Sequence, residues 1–298
     1  MSDLIERCPT GIDGFDKLCQ GGFVRNSDNL IVGGPGSGKS TFLLQFLWNG
    51  VTKFNENGLY CSFEPDVVET LKDGMIHGWD FTKLSNEGRI KFMRFAPQTS
   101  IDELKAELTK MISKNDIRRI CFDPISVLAM DMDEQGKIRQ IIFELSSLMK
   151  RLKVTSVFAD ESFEAEIGPV DREWAKTDIL RFLSDSVVIF YESGIAGVGD
   201  RALRRSKMRR TSHERVAAGM KITLNGIEVI EPATMEIPTL DEFKAELRSP
   251  SVSSPPIQTP VPPVQIIPPP APSQNYASQK PSVQERKSPS VIPVYQRR

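Results

Sequence analysis

Between Asn29 and Ala159, apolar runs of strand length alternate with stretches whose apolar residues recur at helical spacing. Asn29-Leu30-Ile31-Val32 suits a buried strand, and Thr41 to Trp48 reads as the helix after it. Gly58 to Glu64 is a second apolar strand, closing on a carboxylate. Asp66 to Met75 is helical, and Ile90 to Phe95 alternates apolar and polar residues as a strand does. From Asp102 to Ser113, Leu104, Leu108 and Met111 fall at helical spacing, and Ile117 to Asp123 is a strand with an aspartate at its end. Glu134 to Leu152 is a long amphipathic helix with Ile138, Ile141, Leu145, Leu148 and Leu152 near one face, followed by a strand from Val154 to Ala159. This alternation predicts an α/β fold with a mainly parallel sheet and helices on both faces.

The pattern differs on either side. Cys8 to Leu18 is turn-rich and ends in a short helical pattern that Gly21 and Gly22 break. After the alternating region come strands at 186–191, 203–208, 220–224 and 228–230, joined by short links. They predict an antiparallel extension on the C-terminal side, with Asn225-Gly226 as a hairpin turn. Near Pro238 the composition shifts again. Thr239-Leu240-Asp241-Glu242 has capping-box form, and Leu240, Phe243 and Leu247 line one side of a short helix. From Ser249 onward glycine is absent and prolines recur to Pro293, with Pro268-Pro269-Pro270 necessarily extended. Such a segment cannot bury enough apolar surface to offset its chain entropy, which predicts disorder. The chain thus divides into a domain at 1–237 and a short helix with a disordered Pro/Ser-rich tail at 238–298.

One stretch joins the first strand to the first long helix: Gly33-Gly34-Pro35-Gly36-Ser37-Gly38-Lys39-Ser40-Thr41. It satisfies G-x-x-x-x-G-K-[ST] in the strand–loop–helix context that the motif requires. Glycines remove the Cβ atoms that block positive φ, so successive N–H groups can curl round a polyphosphate, and the following helix aims its positive end at the same anion. Lys39 adds a point charge for the β- and γ-phosphates, and Ser40 offers a hydroxyl to Mg²⁺. The expected ligands are ATP and Mg²⁺.

Composition narrows the classes. The 298 residues carry a net charge of −1, so no overall basic excess points to nucleic acid or a membrane surface. Cys8, Cys19, Cys61 and Cys121 lack C-x-x-C spacing, and Cys61 and Cys121 lie in apolar runs, so they read as core residues. Only His77 and His213 are present, which argues against a histidine-rich metal site. Neither a signal-peptide core nor a run of about eighteen apolar residues occurs. The expected setting is the cytoplasm, without membrane insertion.

Asp123 has the Walker-B form, an aspartate at the end of a buried strand that can hold Mg²⁺ through water. Glu64 closes a neighbouring strand, and in a parallel sheet both lie at the carboxyl edge where ligands collect. A carboxylate there can orient the attacking water or accept its proton, although Glu64 also suits the N-terminal turn of the helix from Asp66. Arg201 to Arg210 forms a third constellation. Alternation along a strand places Arg205, Lys207 and Arg209 on one face, where three cations need an anion. A neighbouring subunit's triphosphate, a nucleic-acid backbone, or solvent at a charge-protected edge each satisfies that pattern.

Taken together, these motifs resemble the KaiC-type branch of the RecA superfamily. The likeness rests on Thr10-Gly11-Ile12-Asp13-Gly14-Phe15-Asp16, Gly21-Gly22, the phosphate loop with Leu44 to Gly50, Phe63-Glu64, Gly78-Trp79-Asp80, Asp123, Glu161 and Lys207-Met208-Arg209. It spans roughly residues 8 to 232, one such domain. The resemblance implies a RecA-like core, ATP bound between subunits, and ring-like, often hexameric self-assembly in which Lys207 and Arg209 reach the adjacent ATP. Departures from the pattern are Pro65 where a second glutamate is usual, Pro124 in place of a serine, and Arg210 and Asn26 in place of glycines. A single remaining catalytic carboxylate, Glu64, implies slow hydrolysis.

Three function classes follow. The first is an oligomeric ATPase that uses nucleotide occupancy as a switch, with Glu64 and Lys39 catalytic and Lys207 and Arg209 acting in trans. The second is a RecA-type DNA recombination or repair accessory, disfavoured because the link from Glu161 to Glu173 is acidic and repels phosphates. The third is a non-hydrolysing ATP-binding scaffold. Val261-Pro262-Pro263-Val264 and Val291 to Tyr295 are candidate docking segments for protein partners on the tail.

Overall fold

The computed structural model of the protein describes residues 5–64, 66–96, 99–129, 135–161, 178–192, 201–212 and 217–230. The chain enters through a two-stranded antiparallel ribbon, β1 (Arg7–Cys8) and β2 (Phe23–Val24), with α1 (Phe15–Leu18) between its strands. Next come β3 (Asp28–Gly33), α2 (Lys39–Phe54), β4 (Asn57–Ser62), α3 (Val67–Ile76), α4 (Phe81–Asn86), β5 (Ile90–Arg94), α5 (Ile101–Asn115) and β6 (Ile117–Asp123). A short 3-10 turn (Ile125–Ala129) leads on to α6 (Gln135–Arg151), β7 (Thr155–Glu161), α7 (Asp178–Leu183) and β8 (Ser186–Tyr191). The described residues end with β9 (Arg201–Met208), β10 (Ala217–Thr223) and β11 (Gly226–Ile230).

Among the described residues the main sheet has nine strands in the order β11-β10-β9-β8-β3-β7-β6-β4-β5. The six from β8 to β5 are parallel, and β9, β10 and β11 extend the β8 side as antiparallel strands. The α/β core and its antiparallel extension therefore match the expectation from the sequence. From β3 the chain crosses to β4, three places along, and later returns to put β8 on the opposite side of β3. This reversal opens a crevice at the carboxyl ends of the central strands, where ligands of such sheets collect.

Every residue of β3 and of β8 is buried, as a parallel strand covered on both faces requires. One apolar layer packs α1 and α2 against Ile31, Tyr60, Cys121, Val157 and Val188. The other packs α5, α6 and α7 against Leu30, Val32, Leu59, Phe122 and Val187. Helix starts follow local chemistry: Asp66, Asp80 and Ser100 cap α3, α4 and α5 by accepting N–H hydrogen bonds from the first turn. α4 and α7, six residues each, have no counterpart among the sequence-based expectations, because one and a half turns show too little periodicity to be seen. The acidic link after Glu161, the short helix after Pro238 and the tail lie outside the described residues.

Arg119 follows Arg118 on β6, and unlike its exposed neighbour it is 0% exposed. Its Nε donates to Glu56 at 2.6 Å, Nη1 donates to the Phe46 carbonyl at 3.1 Å, and the guanidinium lies 4.6 Å from the Phe46 ring centroid. Gly50 makes the room, since a Cβ there would lie 2.5 Å from Arg119 Cδ. Burial pushes the Glu56 carboxyl up, but Arg119 and Arg25 more than reverse this and hold it below its ordinary 4.5. Glu56→Gln is expected to lower stability by roughly 3 kcal/mol, because it leaves a buried cation without its counter-charge. The stabilisation by Glu56 is present above its unfolded pKa and is lost as pH falls through the lower folded value. The gap in urea midpoints between wild type and variant should therefore narrow in acid.

Candidate active site

The phosphate-loop pattern sits where β3 hands over to α2. Gly36 and Gly38 have φ of +75° and +99°, and Gly38 is the N-cap from which α2 starts at Lys39. Gly33 has no room for a side chain: a Cβ would lie 2.6 Å from Ser37 Oγ and 2.8 Å from the Phe190 carbonyl of β8. Lys39 Nζ turns back over the loop and donates to the Gly33 and Gly34 carbonyls, both at 2.9 Å. Burial lowers the Lys39 pKa, while Glu161, Asp123, Asp160 and Glu192 pull it back toward the charged form. Ser37 Oγ is buried and finds no hydrogen-bond partner among the described residues.

Beside the loop opens a cleft of about 560 Å³. Pro35, Gly36, Gly38, Lys39, Ser40 and Thr41 line one side, and Glu64, Asp123, Pro124, Glu161 and Ile222 complete it. The structure thus brings Glu64 and Asp123 to the loop, as expected for two carboxylates at the carboxyl edge. Glu64 is exposed and stands two residues past the end of β4 at Ser62. Asp123 is buried, and its Oδ2 accepts the Tyr60 hydroxyl at 2.5 Å. Burial, then the Asp123 charge, pushes the Tyr60 phenol well above its ordinary range. The donors fit a magnesium–nucleotide ligand: a glycine cradle that any Cβ at Gly33 would fill, an orphaned buried hydroxyl, a lysine, and hydroxyl and carboxylate oxygens of the kind a hard cation takes.

Glu192 and Ile222 carry no functional signal of their own in the sequence, and the places of Glu161 and Arg201 beside the loop are set by the strand pairing. Glu161 ends β7 beside Gly33 in the parallel register, so a third carboxylate reaches the cleft from another strand. Arg201, at the start of β9, donates from Nε to the Gly36 carbonyl at 3.0 Å. Glu192, just past β8, approaches the same turn, with Oε1 2.9 Å from where a Gly36 Cβ would be. Ile222 arrives from the antiparallel extension, which no local pattern ties to the loop.

Lys207 and Arg209 are not brought to the loop of their own chain. β9 runs antiparallel to β8, so Leu203 pairs with Phe190 near Gly33 while Lys207 pairs with Val187, three residues of β8 and roughly 10 Å further down the sheet. There Lys207 Nζ donates to the carbonyls of Arg181, Phe182 and Ser184 at 3.0, 3.0 and 2.7 Å, closing the C-terminal end of α7. Burial, then Arg209, lowers its pKa. Arg209 reaches the Phe182 carbonyl at 3.2 Å and Asp185 at 3.6 Å. The expectation that Arg205 shares their face is corrected. The β8–β9 register shifts between Val187 and Val188, which face Lys207 and Arg205. That bulge accommodates Ser206 as an extra residue and breaks the alternation. Arg205 is buried on the α1 side, where Nη1 donates to the Leu18 carbonyl.

A family model described as ATPase: KaiC matches residues 8–234. The chain belongs to the KaiC family of ATPases. Its relatives include the circadian clock oscillator protein KaiC of Synechococcus elongatus, 29% identical over 242 residues that cover 78% of this chain and 46% of that one. The KaiC protein of Nostoc is likewise 29% identical with the same coverage. The crystal structure of a KaiC-like protein from the hyperthermophilic archaeon Pyrococcus horikoshii superposes with a TM-score of 0.66 at 26% identity, covering 76% of this chain and 99% of that one. The chain spans about half the length of the curated KaiC relatives it matches. The KaiC-like core is thus the RecA-like fold expected from the motifs, with an ATPase-type nucleotide domain.

The loop's steric limits give a paired test. Gly33→Ala forces its Cβ against the Phe190 backbone and should cost roughly 1–3 kcal/mol of stability in urea unfolding. A Cβ added at Gly34 would meet nothing within 4 Å, so Gly34→Ala should stay within about 0.5 kcal/mol of wild type.

Proposed function

We propose that this KaiC-family domain binds ATP with Mg²⁺, hydrolyses it slowly, and assembles head to tail so that nucleotide occupancy controls its self-association. The observation that carries this reading is the separation within one chain of the loop-and-carboxylate cleft from Lys207 and Arg209. Loop amides and Lys39 receive the phosphates, with Ser40 and Asp123 as the residues that would hold the cation. When bound, Mg²⁺ neutralises charge on the phosphate oxygens. Glu64, exposed at the cleft, orients the water that attacks the γ-phosphate and takes up its proton, releasing ADP and phosphate. Lys207 and Arg209 of a neighbouring copy stabilise the charge that develops in the transition state, in the manner of an arginine finger.

A ring, with six copies as the expected number, is the closed form of such a heterologous contact. Four buried free thiols support a reducing, cytoplasmic setting. The reading as a DNA-processing accessory is weaker, because Arg205, one of the three cations that a nucleic-acid backbone would have met on one face, is buried. Protein partners recruited through the proline-rich tail are compatible with either the switch or a scaffold role.

Phosphate release by wild type, Glu64→Gln and Lys39→Ala tests the chemistry. Glu64→Gln should lower the rate about 10²-fold or more while nucleotide still binds, and Lys39→Ala should abolish binding. Equal rates in all three would reject the site. Light scattering after size exclusion should show larger particles with Mg-ATP than without. Lys207→Ala and Arg209→Ala subunits should keep binding ATP but lose turnover, and mixing them with Glu64→Gln subunits should restore part of the rate through hybrid interfaces.

A further inference from the structure

We propose that Tyr60 is a positioning residue for the Walker-type aspartate: its phenol hydroxyl fixes one oxygen of Asp123 so that the other is presented to the cation accompanying the nucleotide. The proposal rests on the reading of Asp123 given above. Tyr60 and Asp123 stand on adjacent strands, and in the β4–β6 register Tyr60 pairs with Cys121 and Ser62 with Asp123. Tyr60 and Ser62 share one face of β4, as Cys121 and Asp123 share one face of β6, so the phenol lies diagonally below the carboxylate. From there the hydroxyl spans the step and donates to Asp123 Oδ2 at 2.5 Å.

Both partners are out of water: Tyr60 is 1% exposed and Asp123 is 4% exposed. The ring has little freedom, because Phe92 packs against it at 5.7 Å between centroids and it lies within the apolar layer under α2. A carboxylate at the cleft margin with one oxygen turned into that layer leaves a costly unpaired acceptor unless a buried donor meets it. Tyr60 is that donor, and meeting it there sets the rotation of the carboxylate. Outer partners of this kind orient metal-binding carboxylates, and losing one commonly weakens metal affinity by about 10–100-fold. A phenylalanine at position 60 would fill the same space without setting the rotation.

The test is a Mg²⁺ titration of fluorescent ATP-analogue binding to the full chain, run on wild type, Tyr60→Phe, Asp123→Asn and the double variant. Binding in EDTA and thermal melting are measured alongside. Tyr60→Phe should raise the half-effective Mg²⁺ concentration about 10-fold while leaving affinity in EDTA unchanged. Asp123→Asn should shift it at least as far, and adding Tyr60→Phe to Asp123→Asn should change nothing more. A wild-type titration for Tyr60→Phe beside a shifted Asp123→Asn overturns the positioning role alone. Additive shifts in the double variant, or an equal loss in EDTA, overturn it in favour of a merely structural tyrosine. No shift in Asp123→Asn removes the aspartate reading and the proposal together.

Discussion

The height of the phosphate loop depends on how β3 is anchored at its opposite end. Asp28, the first residue of that strand, is buried and accepts hydroxyl hydrogen bonds from Ser146 of α6 and Ser156 of β7, each at 2.5 Å. Its backbone N–H donates to Asp185 Oδ2 at 3.2 Å, and Lys150 stands 3.6 Å from Asp28 and 3.2 Å from Asp185. Burial raises the Asp28 pKa against the pull of Ser146, Ser156 and Lys150, and the Asp185 charge adds to the rise. Because the polar foot locks β3 to β7 and β8, a slip by one residue would strand charged groups in an apolar layer. The register that follows sets Gly33 against Phe190 and starts α2 where the loop ends.

The same foot holds the cations proposed to act on a neighbour. Arg209 and Arg210 both approach Asp185 Oδ1, at 3.6 and 3.5 Å, and the Arg209 N–H donates to the Asp185 carbonyl at 2.8 Å. Loop and cations are therefore placed at opposite ends of the sheet by one network, which fixes their separation. With strands this stiff, a composite site assembled from two copies has its two halves held at a set distance. The bulge at Ser206 completes the arrangement by turning Lys207 to the α7 side and leaving Arg205 as an internal strut against α1.

The carboxylates show a different kind of economy. Pro65 follows Glu64 in the sequence, where the family pattern has a second glutamate, yet the cleft still contains another carboxylate because β7 ends on Glu161 beside Gly33. Adjacency in the chain and adjacency in space are separate routes to the same local charge. Asp123, Asp160, Glu161 and Glu192 surround one lysine, with Glu64 on the cleft wall, a charge balance that suits the proposed ligand because a magnesium-bound polyphosphate brings its own counter-charge.

By itself the sequence determined what is local. Nine residues specify the phosphate loop because glycine spacing, a lysine and a following helix need no distant partner to express their chemistry. Likewise the strands from 29 to 159 were legible from short apolar runs and, at Ile90 to Phe95, from alternation, and Asp123 and Glu64 from their places at strand ends. Tertiary structure alone decided the rest. Arg119 is internal because Gly50 and Glu56 from other elements make room and charge for it, and Tyr60 meets Asp123 because two strands pair in one register rather than the next. Lys207 and Arg205 diverge because a bulge belongs to a pair of strands, and no single strand's alternation can announce it.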